Sequence, residues 1–143
     1  MNKYAIKDLS VGMCRDRKVT ITRKTIEKFA EISGDYNPIH LNESYAEATI
    51  FGGCIAHGGI LNAVISNIIG NELPGPGSIL LEEEIKYKKP VMINDTIKFS
   101  VSINKIVSEK NLVLLDTKVV KFENIVVAEG SALVMLLEDE DET

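Results

Sequence analysis

Gly58-Gly59-Ile60-Leu61-Asn62-Ala63-Val64-Ile65-Ser66-Asn67-Ile68-Ile69-Gly70-Asn71 decides the architecture of this chain. Ile60, Leu61, Val64, Ile65, Ile68 and Ile69 recur at helical spacing, yet they spread too widely to share one narrow face. A helix that is apolar round most of its circumference is a buried one, so residues 58–71 predict the core helix. The run Leu73-Pro74-Gly75-Pro76-Gly77 ends it, because proline lacks the N–H that a continuing helix needs. Beyond that point the apolar period drops to two. Residues 78–88, 95–108, 112–122 and 125–137 read as four long strands rich in Ile, Val, Leu and Phe. Glu109-Lys110-Asn111 and Glu123-Asn124 are short enough to close antiparallel hairpins. A long buried central helix followed by such strands implies an α+β fold, with an antiparallel sheet wrapped around the helix. Its free edges need cover, which points to a homodimer or a dimer of dimers.

Towards the N-terminus, residues 17–21 predict a short strand. Thr22 is placed to cap a helix whose apolar positions Ile26, Phe29 and Ala30 follow the i, i+3, i+4 pattern and which ends near Gly34. Asn42 is a cap for a second, shorter helix reaching about Thr49. No internal repeat or linker interrupts the 143 residues. Residues 1–137 are expected to form one domain, with 138–143 a solvated acidic tail.

The net charge of −5 and the lack of a basic stripe argue against nucleic-acid binding. Lys86, Lys88 and Lys89 form the one dense basic cluster. They read as a solvated strand edge, the alternative being contact with a phosphate-bearing ligand. No apolar run reaches the roughly 18 residues of a membrane span. The first residues lack a signal-peptide pattern, so a cytoplasmic location is expected. Cys14 and Cys54 have no metal-ligand spacing. Cys54 is read as packing rather than as a nucleophile, since nothing nearby would lower its thiol pKa.

The chemistry concentrates in Ser33-Gly34-Asp35-Tyr36-Asn37-Pro38-Ile39-His40. A continuous helix would put Asp35 and His40 on nearly opposite faces. Gly34 and Pro38 instead argue for a bent loop in which the two side chains converge. A carboxylate and an imidazole aimed at one point are what moving a proton to or from water requires. The bland alternatives are an Asx-turn role for Asp35 and a merely satisfied loop histidine at His40. Asn37 is expected to orient the loop through its side-chain amide. The second of the two histidines, His57, precedes Gly58-Gly59 at the start of the core helix, where unpaired N–H groups and a partial positive charge lie. A carbonyl oxygen against the Gly58 N–H would be stabilised as in an oxyanion hole. Alternatively, the glycines only permit close packing. Ser66 lies two turns on, where a bond to its own helix backbone is the plain account.

Asp35-Tyr36-Asn37-Pro38-Ile39-His40, Ala56-His57-Gly58, Ser66 and Leu73-Pro74-Gly75-Pro76-Gly77-Ser78-Ile79 together resemble the MaoC-like R-specific enoyl-CoA hydratases, over residues 15 to 137. The resemblance implies the hot dog fold, a dimer, and trans-2-enoyl-CoA thioesters as substrates without a metal or redox cofactor. It implies that Asp35 and His40 hold the reacting water, with Asn37 and Pro38 part of the same motif. Gly58 would then receive the thioester carbonyl, and Ser66 would lie near the dyad. His57 fits the His-Gly pair with no chemical step assigned. The chain departs from the pattern at Gly52-Gly53-Cys54, which bears on the shape of the acyl pocket. Rival readings are dehydration of acyl-carrier-protein thioesters, thioester hydrolysis, and a non-catalytic acyl-CoA-binding regulator. The short run before the first strand leaves that last role no helix-turn-helix.

Overall fold

In the computed structural model, which describes residues 3–138, five strands and four helices follow the chain order β1 (Cys14–Thr20), α1 (Arg23–Ser33), α2 (Pro38–Leu41), α3 (Glu43–Glu47), α4 (Gly58–Asn71), β2 (Ser78–Tyr87), β3 (Thr96–Val107), β4 (Leu112–Lys121) and β5 (Ile125–Leu136). The sheet runs β1-β3-β4-β5-β2, with every neighbouring pair antiparallel. Period-two alternation turns Ile97, Phe99, Val101 and Ile103 of β3 inward, with Val113, Leu115 and Val119 of β4. They pack on Ile60, Leu61, Ile65, Ile68 and Ile69 of α4. Each such side chain contributes about 1.5–3 kcal/mol by leaving water. The sheet therefore curls round α4, as the period change predicts.

Local chemistry sets the helix ends. Thr22 Oγ1 accepts the Thr25 N–H at 3.2 Å and caps α1. Gly34, at φ 78°, closes it with its N–H on the Ala30 carbonyl, a left-handed turn that glycine adopts without strain. Asn42 caps α3 through the Tyr45 N–H.

Three expectations need correction. The first strand begins at Cys14, not residue 17. Its polar run lacks alternation, and pairing with β3 from Cys14–Ser102 to Thr20–Thr96 is what extends it. The bent loop to His40 includes a single helical turn, α2, with Pro38 at its first position, where the missing N–H costs nothing. Finally, α4 is not buried all round: Ala63 and Ser66 are exposed, because the sheet covers only one side of the helix.

The edge strand β2 exposes Ile79, Leu80 and Leu81. Among the described residues no helix is long and apolar enough to cross a membrane. Most of the acidic tail, residues 139–143, lies outside the described residues.

Candidate active site

A ladder of side-chain bonds carries the chain from α1 into α2. Ser33 Oγ donates to the Phe29 carbonyl at 2.6 Å and accepts the Asp35 N–H at 3.1 Å. Asp35 Oδ1 accepts the Asn37 N–H at 3.1 Å, and Asn37 Oδ1 accepts the Ile39 N–H at 3.2 Å. Asp35 thus makes the Asx turn of the plain reading, and Asn37 orients the loop as expected. The Asx turn uses only one carboxylate oxygen. The other, Oδ2, lies 3.9 Å from His40 Nε2.

His40 is held from behind. Its Nδ1–H donates to the Ile55 carbonyl at 2.8 Å, while the Ile55 N–H returns to the Ile39 carbonyl at 3.2 Å. A carbonyl oxygen can only accept, so Nδ1 carries a proton, and in the neutral imidazole Nε2 presents a lone pair. A lone pair facing a carboxylate oxygen makes a pair of acceptors with no proton between them. A water supplies what they lack. Placed ~2.8 Å from each atom, it donates one O–H to each across the 3.9 Å gap with an angle near ~90°, leaving its own lone pairs outward. The Asp35 side chain is 50 % exposed against 11 % for His40, so the pair opens to one side only.

The pair lies against the start of α4, where His57 stacks on His40 and bonds the Asp35 carbonyl. His57 is the N-cap residue, but its side chain makes no capping bond. Among the described residues, no acceptor takes the Gly58 or Gly59 N–H; the first engaged donor is Ile60, on the His57 carbonyl at 3.1 Å. The glycines also serve packing. A Cβ on Gly58 would stand 2.9 Å from the Tyr87 ring, and one on Gly59 2.5 Å from Phe29 Cζ. The packing reading of the glycines is thereby borne out.

A cleft of about 500 Å³ is bounded by His40, Phe51, Gly58, Leu61, Tyr87 and Lys89, with Asp35 outside its lining. The Tyr87 hydroxyl donates to Asn62 Oδ1 at 2.5 Å, and Asn62 Nδ2 donates to Glu83 Oε1 at 3.2 Å. Burial pushes both the Glu83 carboxyl and the Tyr87 phenol up from their ordinary pKa values. Lys88 pairs with Glu129 at 2.6 Å and holds that carboxyl below its usual range. Cys54 is 2 % exposed, and burial pushes its thiol up, as packing requires. Ser66 is not brought to the cleft; it lies on the exposed side of α4. Phe29, Ser33 and Tyr87 are wall and support residues that sequence reading missed. A signal for Tyr87 existed only in hindsight, in the demand for no Cβ at Gly58.

Ligand atoms of Asp35, His40 and His57 lie within 4.8 Å of one another. Metal ligation needs lone pairs converging on one centre. Here the two imidazoles stack with centroids 3.9 Å apart and planes at 26°, and each commits one nitrogen to a carbonyl. That leaves one ring nitrogen on each, Nε2 of His40 and Nδ1 of His57. The geometry suits a water.

An antiparallel sheet curled round a long helix, with an acid–imidazole pair at that helix's N-terminus, defines a hot dog protein. The chain belongs to the MaoC like domain family, whose pattern matches residues 10–129. It is 38% identical over 133 residues to the (R)-specific enoyl-CoA hydratase of Rhodospirillum rubrum, covering 93% of this chain and 92% of that one. It is 35% identical to the 3-hydroxybutyryl-CoA dehydratase of Methylorubrum extorquens, covering 94% and 85%. The solved (R)-hydratase of Aeromonas caviae, involved in PHA biosynthesis, superposes with a TM-score of 0.88 at 30% identity, over 92% of this chain and 99% of that one.

Proposed function

We propose that this protein is a lyase catalysing reversible syn hydration of trans-2-enoyl-CoA to (R)-3-hydroxyacyl-CoA. The observation that carries the reading is the 3.9 Å gap between Asp35 Oδ2 and His40 Nε2 beside an uncapped helix N-terminus. The activities named for the hydratase and dehydratase relatives support it. The water held between the pair attacks C3 through its free lone pair, and one of its protons passes to the pair. The C2–C3 π electrons move towards the thioester, and negative charge builds on its oxygen. The Gly58 N–H and the helix N-terminus stabilise that enolate. Collapse of the enolate takes a proton at C2 from the same face, from the group that received it. Oxygen and hydrogen thus add on one side, and dehydration is the same path reversed. No redox change occurs.

We also propose a homodimer, or a dimer of dimers, as the working unit. The order of the sheet leaves β2 at an edge, and its exposed Ile79, Leu80 and Leu81 favour a second copy as cover. The exposed side of α4 that carries Ala63 and Ser66 is the other surface such a copy would bury.

The test is spectroscopic. Crotonyl-CoA loses the ultraviolet absorbance of its conjugated thioester when the enzyme is added, and the product is the R isomer. Asp35→Asn and His40→Gln each lower kcat by about 10²–10⁴-fold, while circular dichroism stays native. A flat trace with short and medium enoyl-CoAs, or full activity in either variant, overturns the assignment.

A further inference from the structure

His57 has no step in that mechanism, yet it is among the most buried polar side chains of the protein, 2 % exposed. Its Nε2–H donates to the main-chain carbonyl of Asp35 at 3.0 Å. One face of its ring stacks on His40 with centroids 3.9 Å apart, and it meets Phe29 at 4.8 Å, tilted by 55°. Its Nδ1 is buried with no hydrogen-bond partner. A residue chosen only to start a helix would be Ser, Thr, Asp or Asn, whose side chain accepts an N–H from the first turn. His57 does not do this. An orphaned buried nitrogen calls for a reason.

We infer that His57 is a positioning residue: it orients Asp35 and His40 as one unit. The inference rests on the hydratase reading and adds a residue to it. The Asp35 carbonyl is fixed from α4 through His57, whereas its carboxylate is fixed from α2 through the Asn37 N–H. Those two anchors define where Oδ2 points. His40 is pinned at one ring atom by the Ile55 carbonyl, which alone leaves the ring plane free to swing. The stacked His57 ring removes that freedom. A Cβ-branched or short polar residue here could do neither task, and a capping one would instead turn its side chain onto the Gly59 or Ile60 N–H.

The test compares His57→Asn with His57→Gln in the full-length protein. Asparagine is too short to reach the Asp35 carbonyl, but it caps α4. We expect kcat on crotonyl-CoA to fall by about 100-fold, while the melting temperature holds or rises. Glutamine places an amide N–H near the position of Nε2, and kcat should recover to within about tenfold of wild type. A crystal structure of His57→Asn should show the 3.9 Å Asp35–His40 gap lost. Wild-type kcat in His57→Asn overturns the inference alone. So does a loss of activity in both variants that merely tracks a loss of melting temperature. An inactive wild type overturns the hydratase reading instead. In that case the crystal structure still decides, and an unchanged gap in His57→Asn overturns the positioning role.

Discussion

Two helices of this protein begin in opposite ways. At α1, Thr22 turns its hydroxyl onto the Thr25 N–H and closes the end. At α4, His57 turns its ring away, and among the described residues the Gly58 and Gly59 donors have no acceptor, with Gly58 in the wall of the cleft. Both ends carry the same unpaired donors and the same partial positive charge. At α1 a side chain takes the third donor, Thr25, whereas at α4 the third donor, Ile60, goes to the His57 carbonyl. The α4 end thus keeps its first donors clear of any capping side chain, next to an acid and an imidazole, and leaves a nitrogen of His57 unsatisfied. The difference separates a helix end closed by a side chain from one that, in the proposed mechanism, serves a ligand.

The sharpest way to break that contrast is Gly58→Ala. The added methyl meets the Tyr87 ring at 2.9 Å, so the ring or the helix start has to move, and the N–H moves with it. An oxyanion donor lost in this way costs about 10²–10³ in kcat, measured by the decay of crotonyl-CoA absorbance, with the secondary structure kept. An alanine variant with native kcat would mean that the open end binds nothing during the reaction.

The complementary experiment is Thr22→Ala. It removes the cap of α1 and should cost about 1 kcal/mol of stability, read as a midpoint shift in urea, with kcat unchanged. The effect on stability should exceed that on activity here and be the reverse at Gly58. A Thr22→Ala enzyme as impaired in turnover as Gly58→Ala would erase the distinction between the two helix ends.

How much of this was legible in the chain follows from where the forces lie. The core helix and β2 to β5 could be read because residues 58–71 and 78–137 change apolar period sharply, and period reports burial directly. The start of β1 could not, since Cys14-Arg15-Asp16-Arg17 has no alternation and is a strand only by virtue of β3 beside it. The exposed stripe at Ala63 and Ser66 was hidden for a similar reason: composition says how apolar a helix is, not how far a sheet reaches round it. In the candidate site, Asp35, Asn37 and His40 could be picked out because they lie within five residues of one another, although the Ile55 carbonyl that holds His40 is 15 residues further on. His57's hold on Asp35 and Tyr87's stand over Gly58 join positions 22 and 29 residues apart. No spacing rule encodes contacts of that kind.

The smallest effect concerns what keeps Tyr87 in place. Its hydroxyl bonds Asn62, and Asn62 bonds Glu83. Burial raises the Glu83 carboxyl above its ordinary pKa, and the Asn62 bond only partly offsets this. A carboxyl whose folded pKa is raised binds its proton more tightly in the native state than in the unfolded one. The ionised form is therefore penalised by folding, and stability falls as pH climbs through the range between the two values. Glu83→Gln removes the charge and keeps an oxygen for Asn62 to donate to. Its melting temperature should exceed the wild type's by about 1–2 °C at pH 7, and the gap should close below about pH 4, where both states of the wild-type carboxyl are protonated. Tyr87 stays held, so kcat should not change. A variant less stable than wild type at pH 7 would mean that the charge itself anchors the wall, and that the open end of α4 depends on an ion as well as on packing.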